Sequence, residues 1–224
     1  MACRTALGIE EFRRGLVGYE FNGGLDLATV RDITAYCALF VVDGKYKATW
    51  LFWLPEDTLA DEINVNRALY RQWADAGWLR LTPGNVVDHD YIVRDILEFS
   101  KPYAHKGTAY DRWNSTDTVI DLMQEGFVMN PFGQGYTSMN TPTRTLEKLV
   151  LGGDLEWDGN PIVPWMFSNV TITMDAAGNQ KCDKAKSANK IDGVVALVEA
   201  LGQYMIDAAD PDNIGGWDGS IISF

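Results

Sequence analysis

Cysteine and histidine are scarce in this chain of 224 residues, which contains three cysteines and two histidines. Cys3, Cys37 and Cys182 lie far apart and form no Cys-x-x-Cys pair, so neither a zinc site nor a disulfide framework is predicted. With only His89 and His105 available, a histidine-rich metal site is also excluded. Any metal chemistry in this chain has to rest on carboxylates.

Motifs of several enzyme classes are absent as well. There is no G-x-x-x-x-G-K-[ST] phosphate loop, so the chain is not expected to hydrolyse ATP alone, and there is no G-x-S-x-G serine elbow. The lone Gly133-Gln134-Gly135 is too weak for a dinucleotide-binding prediction, which disfavours a cofactor-binding α/β domain. No signal-peptide core opens the chain and no run of ~20 apolar residues occurs, so an intracellular protein without a membrane partner is predicted.

Positive charge is in deficit, since 19 Lys and Arg stand against 31 Asp and Glu for a net charge of -12. Nonspecific affinity for nucleic acids comes from clustered Lys and Arg. This balance therefore counts against DNA binding unless metal ions or a separate basic domain offset it. Hydrophobic residues make up 46% and charged residues 22%, which is typical of a folded globular protein. One domain, stable without a disulfide or structural metal, is predicted.

Hydrophobic patterning predicts a mixed α/β domain. Strands are predicted at 23–27, 32–42 and 46–54, with the turn Asp43-Gly44 joining the last two. Further strands are predicted at 107–110 and 128–130, a hairpin at 170–179, and helices at 63–76, 90–101, 117–125 and 190–206. Two more helices are predicted to begin at Pro142 and Pro161. Strands followed by alternating helices and strands favour a mixed sheet with helices on its faces.

Three aspartates are the candidates for chemistry. Asp26 lies inside an otherwise apolar strand, where an unpaired charge is costly. Asp111 directly follows a predicted strand, and Asp192 lies in the first turn of the last predicted helix. If the two strands are neighbours and the helix reaches them, the three carboxylates form a site for hard divalent cations. Two such ions about 3.5–4 Å apart would activate a water and stabilise the leaving oxygen of a phosphodiester.

Two of these aspartates also have a purely structural interpretation, whereas Asp26 is harder to explain in that way. Asp192 would interact favourably with the helix dipole, and Asp111 could cap the following turn. Asp32, at the start of a predicted strand, is more typical of a turn residue than of a ligand. Residue spacing alone does not decide between the two interpretations.

A series of motifs, in order, resembles the large terminase family of tailed phages. The motifs are Gly24-Leu25-Asp26-Leu27, Asp32-Ile33-Thr34-Ala35, Ala109-Tyr110-Asp111-Arg112-Trp113, Phe132–Met139, Gly159-Asn160-Pro161, Asp175–Asn179, Lys184-Ala185-Lys186-Ser187 and Lys190-Ile191-Asp192-Gly193. They cover about residues 20 to 205. The resemblance implies an RNase H-like α/β fold, with a mixed central sheet and helices on both faces. It also implies a metal-dependent endonuclease that cuts concatemeric double-stranded viral DNA.

The same resemblance implies roles for individual residues. Asp26 would bridge two divalent cations, Mg²⁺ or Mn²⁺, while Asp111 would hold one of them and Asp192 would complete the other. Asp32 matches an accessory acidic position in some relatives. Lys184 and Lys186 are candidates for contacting the DNA backbone, although a solvated basic stretch explains them equally well.

A larger assembly is implied too. Complete large terminases carry an N-terminal packaging ATPase domain and work with a small terminase subunit and a portal in the host cytoplasm. Residues 1–20 are therefore predicted to be a remnant of an interdomain connection, 21–210 the nuclease domain and 211–224 a C-terminal tail. Two other functions stay open at this point: another RNase H-like nuclease, such as a junction resolvase or an integrase core, and a catalytically silent module that docks on a portal or small terminase.

Overall fold

The computed structural model describes residues 3–4, 8–28, 32–112 and 116–209. Its strands are β1 (Cys3–Arg4), β2 (Glu20–Asp26), β3 (Thr34–Val42), β4 (Lys45–Pro55), β5 (Arg80–Thr82), β6 (Ala104–Asp111), β7 (Met129–Phe132), β8 (Leu155–Trp157), β9 (Ile172–Met174) and β10 (Gln180–Cys182). Its helices are α1 (Ile9–Arg14), α2 (Arg67–Asp75), α3 (His89–Ser100), α4 (Thr116–Gln124), α5 (Tyr136–Gly152), α6 (Ile162–Asn169) and α7 (Asp192–Ala209). The predicted tail at 211–224 lies outside the described residues, as do Trp113 and Asn114.

An eight-stranded mixed sheet forms the centre of the described part of the chain. Its order is β1-β8-β4-β3-β2-β6-β7, and β5 pairs with the end of β4. The predicted meander is confirmed: β2, β3 and β4 are antiparallel neighbours, and at the turn Asp43 and Gly44 have φ of 51° and 73°. β6 pairs in parallel with β2, and β7 in parallel with β6. β2 therefore lies between an antiparallel and a parallel neighbour.

Helices cover both faces of this sheet. On one face α7 packs across β2 and β3, with α2, α5 and α6 around it. On the other face lie α1, α3 and α4. Successive side chains of a strand point to opposite faces, so Ala35 and Cys37 belong to the first core and Tyr36 and Ala38 to the second. The predicted class, a mixed sheet with helices on both faces, is confirmed.

The helix predicted at 63–76 begins later than its apolar pattern indicated. α2 starts at Arg67 because side chains in the preceding segment bind the backbone in turns instead. Asp61 Oδ1 accepts from the Ile63 N–H and Asn64 Oδ1 from the Asn66 N–H, each at 3.0 Å. Ile63, expected on the buried face, is 88% exposed.

The helix predicted to begin at Pro142 was also placed wrongly. α5 begins at Tyr136, and Pro142 lies inside it. A proline in a helix interior removes one backbone hydrogen bond and ordinarily costs about 3 kcal/mol. Pro142 is buried on the same helix as Met139, Leu146 and Leu149, and this packing offsets the lost bond. The start predicted at Pro161 is confirmed to within one residue, since α6 begins at Ile162.

Residues 8–20 form part of the packed domain. Phe12 and Leu16 are buried in the core beneath α3, and Arg13 donates to Thr49 Oγ1 and to the Trp50 carbonyl at 2.8 Å each. The assignment of residues 1–20 to an interdomain connection stays a prediction. No helix among the described residues is long and apolar enough to cross a membrane.

Candidate metal centre

Two parallel strands bring Asp26 and Asp111 side by side. Leu25 of β2 pairs with Tyr110 of β6, and an aspartate follows each of them as the last residue of its strand. Paired positions on parallel strands lie about 4.8 Å apart with their side chains on the same face. Leu25 and Tyr110 contact the core under α3 and α4, so the two aspartates face α7. The adjacency of these strands, on which the predicted site depended, is confirmed.

Helix α7 reaches these strand ends because a glycine allows it to approach β2 closely. A Cβ atom at Gly24 would lie 1.9 Å from the Ala196 carbonyl oxygen. Trp50 Nε1 donates to the Gly193 carbonyl at 2.9 Å and fixes the first turn of the helix. This packing places Asp192, the first residue of α7, at the same edge as Asp26; it is 6% exposed.

Lys184 ties Asp26 to Asp192. Its Nζ lies 2.5 Å from Asp26 Oδ2 and 3.0 Å from Asp192 Oδ1. Burial opposes the charged ammonium, but the two carboxylates outweigh it and raise the pKa of Lys184. The amine predicted to contact DNA is therefore directed inward here, as a cation between two candidate metal ligands.

Two buried aspartates share a single lysine at this edge of the sheet. Burial, opposed by Lys184 and reinforced by Asp192, raises the pKa of Asp26 to about 7. Burial also raises the pKa of Asp192, with Lys184 opposing and Asp32 adding to the rise. Asp192 Oδ2 is buried without a hydrogen-bond partner. Carboxylates whose ionisation is disfavoured in this way are typical of sites that take a further cation.

The available donors fit a hard divalent ion. Carboxylate oxygens are the ligands that Mg²⁺ and Mn²⁺ prefer, and the unpaired oxygen of Asp192 is free to serve as one. Within the described ranges, no three Asp, Glu, His or Cys side chains already converge on one ion position. Two of the carboxylates instead hold the Lys184 ammonium between them.

Glu199 is a charged group that the sequence pattern did not reveal. It lies on α7 two turns after Asp192 and is completely buried. Gln134 Nε2 donates to its Oε1 at 3.1 Å, whereas its Oε2 has no hydrogen-bond partner. Burial first, and then repulsion from Asp26, raise its pKa well above the usual range. Its position as the one charged residue within the apolar run 193–202 is the signal that could have found it.

Asp32 and Lys186 lie at the margin of this group. Asp32 pairs with Lys190 and is near enough to Asp192 to raise the pKa of that carboxyl. Asp32 also lines a polar cavity of about 200 Å³ beside the site. Lys186 extends outward with a side chain 67% exposed, 4.0 Å from Asp183.

The segment Phe132–Met139, one of the motifs that resemble the terminase family, joins β7 to α5. Phe132 ends β7 and α5 begins at Tyr136, so only residues 133–135 connect the two elements. Gln134 in this short connection contacts Glu199. The segment therefore does border the site, but through one residue.

Comparison with known proteins identifies relatives over most of the chain. Residues 13–207 match the family model described as "Terminase large subunit, endonuclease domain". The chain is 36% identical over 186 residues to the large terminase subunit of Enterobacteria phage HK97, which covers 82% of this chain and 37% of that protein. It is 33% identical over 193 residues to protein YmfN of Escherichia coli K12, covering 81% of this chain and 42% of that protein. The chain thus spans less than half the length of either relative.

Solved structures agree on the fold. The crystal structure of the HK97 large terminase matches with a TM-score of 0.76 and 32% identity over 87% of this chain and 42% of that one. The large terminase nuclease of the thermophilic phage G20c, solved with bound magnesium, matches with a TM-score of 0.53 and 15% identity over 89% and 98% of the two chains. The second likeness shows the fold alone. The sheet with helices on both faces is that of the RNase H-like terminase nuclease domains.

Proposed function

Because this chain belongs to the family of terminase large-subunit endonuclease domains, we propose that it is a metal-dependent endonuclease that cuts concatemeric double-stranded viral DNA during packaging. The observation that supports this most directly is the gathering of Asp26, Asp111 and Asp192 at one edge of the sheet. Two of these carboxylates already share a cationic group, the Lys184 ammonium.

The positions of the three aspartates suggest a metal-binding role for each of them. Asp26 neighbours Asp111 on the adjacent strand and shares Lys184 with Asp192 on α7, so Asp26 would be the ligand common to two divalent cations, Mg²⁺ or Mn²⁺. Asp111 would then hold one of the ions and Asp192 the other. Such a pair, when bound, activates a water and stabilises the leaving oxygen of a phosphodiester. Burial of Asp26 and Asp192 strengthens their attraction for cations, because water screens it less. Asp32 adds negative charge on the Asp192 side.

Lys184 has two consecutive roles in this proposal. Without metal its ammonium offsets the repulsion between Asp26 and Asp192. A divalent cation between those carboxylates would displace the amine, whose side chain is already 40% exposed. The freed amine would then reach a DNA phosphate at the rim of the site. Lys186, which is more exposed, would contact the backbone farther out.

A local group of lysines can supply positive charge for DNA binding although the chain as a whole is acidic. Lys181, Lys184, Lys186 and Lys190 fall within a ten-residue stretch beside the acidic edge, although the whole chain carries a net charge of -12. This stretch can contact phosphates next to the site while other parts of the packaging motor hold the DNA. The partners proposed for the full motor are the terminase ATPase domain, the small terminase subunit and the portal, in the host cytoplasm.

Plasmid cleavage tests the proposal. With Mn²⁺ or Mg²⁺ the chain should cut supercoiled plasmid with little sequence preference, and EDTA or the Asp26→Asn substitution should abolish cutting. Asp95→Asn is the matched control, since Asp95 is a partly buried carboxylate on α3, on the opposite face of the sheet. Cleavage that persists in EDTA, or an Asp26→Asn variant as active as the wild type, would contradict the proposal.

The same assay separates the competing functions. A terminase nuclease should cut linear duplex as readily as a four-way junction, whereas a junction resolvase should prefer the branched DNA. A silent docking module should neither cut DNA nor bind Mn²⁺. Calorimetric titration with Mn²⁺ alone therefore distinguishes a nuclease that binds metal but cuts these DNA substrates weakly from a module that has no metal site.

A further inference from the structure

Helix α7 carries a line of polar side chains along the face that meets the sheet. Asp192, Glu199, Gln203 and Asp207 follow one another at intervals of seven, four and four residues, which places them on one side of the helix. Gln203 and Asp207 satisfy each other, since Gln203 Nε2 donates to Asp207 Oδ1 at 2.8 Å. Glu199 differs from them because half of its carboxylate is unpaired.

The burial of Glu199 is difficult to explain by packing alone. Its side chain is 0% exposed, and Oε2 has no hydrogen-bond partner in the described part of the chain. Leaving a buried polar atom unsatisfied costs about 1–3 kcal/mol, and more if the atom is charged. A leucine or methionine would fill this position, between the buried Val198 and Ala200, without that cost. The free oxygen is therefore better explained as a ligand position.

The surroundings of Glu199 identify the class of ligand. Glu199 lies near the same edge of the sheet as the candidate centre, because Asp111 of β6 pairs with Phe132 of β7, and Gln134, two residues after Phe132, contacts Glu199. Carboxylates from β2, β6 and α7 thus lie near one edge of the sheet, and carboxylate oxygens are the ligands that a hard divalent cation prefers. Gln134 holds Oε1 by its amide and leaves Oε2 free. Such outer hydrogen bonds commonly orient metal ligands.

We propose that Glu199 is a fourth carboxylate of the metal centre and that its Oε2 binds the cation shared by Asp26 and Asp111, directly or through one of the cation's waters. Gln134 is then a positioning residue, acting through its bond to Oε1. The inference deepens the proposed function and rests on it, because it requires that Asp26 and Asp111 bind a cation.

Binding of Mn²⁺ alone, measured by calorimetry and by the loss of the free-ion electron paramagnetic resonance signal, tests the role of Glu199. Glu199→Gln keeps the shape of the side chain and its contact with Gln134 but removes the charge. We expect it to weaken Mn²⁺ binding by about ten-fold or more. Asp207→Asn is the matched control, since it neutralises a partly buried carboxylate on the same helix face two turns away, and it should leave Mn²⁺ affinity unchanged. Glu199→Asp, which keeps the charge on a shorter arm, should fall between wild type and Glu199→Gln.

Thermal melting of the same proteins gives a second measurement that does not depend on cleavage. Without metal, Glu199→Gln should melt at or above the wild-type temperature, because one of several crowded buried carboxylates is gone. Saturating Mn²⁺ should raise its melting temperature less than that of the wild type. Equal Mn²⁺ affinity in wild type and Glu199→Gln, with binding lost in Asp26→Asn, would overturn the role of Glu199 and leave the proposed function intact. A wild-type chain that binds no Mn²⁺ would overturn both.

Discussion

The close crossing of α7 over β2 makes Gly24→Ala a sharp test of how the fold assembles the site. The added Cβ would lie 1.9 Å from the Ala196 carbonyl oxygen and 2.7 Å from the Ala200 nitrogen, whereas ordinary contacts begin near 3.4 Å. Both obstacles are backbone atoms, so no side-chain rotation relieves the clash, and α7 would have to withdraw by about 1.5 Å. Overpacking of a core typically costs 1–3 kcal/mol and occasionally more. We expect the upper end, about 3 kcal/mol.

For a domain of this size a loss of about 3 kcal/mol corresponds to a fall in melting temperature of roughly 6–12 °C, which circular dichroism measures directly. Withdrawal of α7 also moves Asp192 away from Asp26, so Mn²⁺ should bind more weakly than to the wild type. Gly15→Ala is the control, because its Cβ would meet its nearest atom at an ordinary 3.4 Å and its φ of -67° suits alanine. A Gly24→Ala protein that melts within 2 °C of the wild type and binds Mn²⁺ equally well would refute the view that this crossing positions the site.

Two further substitutions test the electrostatics of the domain. Lys184→Met should lower the free energy of unfolding of the metal-free protein by about 1–2 kcal/mol. Breaking a fully buried ion pair would cost more, but the lysine side chain is 40% exposed. Mn²⁺ should then raise the melting temperature of this variant more than that of the wild type, and equal shifts would argue against competition between amine and metal. Burial lowers the pKa of His105 from 6.5 to about 4. Because the unfolded chain then binds the proton more readily, stability should be lost as pH falls from about 6.5 to about 4, by about 3 kcal/mol. Asp26, whose pKa is raised to about 7, changes stability in the opposite direction over this range in both proteins. The contribution of His105 is therefore the difference between the pH profiles of wild type and His105→Gln in urea unfolding, and parallel profiles would contradict it.

Local signals predicted most of the elements correctly. The hairpin at Asp43-Gly44 and the end of α2 before Gly77 were readable because both require positive φ, which few residues tolerate. The misplaced starts of α2 and α5 have the opposite origin. Asx turns at Asp61 and Asn64 override an apolar pattern in one case, and core packing around Pro142 overrides a helix-breaking residue in the other. The short strands β1, β5 and β8 were not predicted, because two or three residues carry no measurable periodicity.

The candidate site, like the fold, could be predicted from the sequence only in part. Asp26, Asp111 and Asp192 could be selected from the sequence, because a carboxylate within or after an apolar strand, or at a helix start, stands out against its own neighbours. The parallel pairing of β2 with β6 and the approach of α7 at Gly24 join segments far apart in the chain, so only the tertiary structure brings these three side chains to one edge. The same long-range packing turns Lys184 inward and buries Glu199 against Gln134. The residues around Lys184 do not predict its placement, and the apolar run around Glu199 marks the residue without indicating what it contacts.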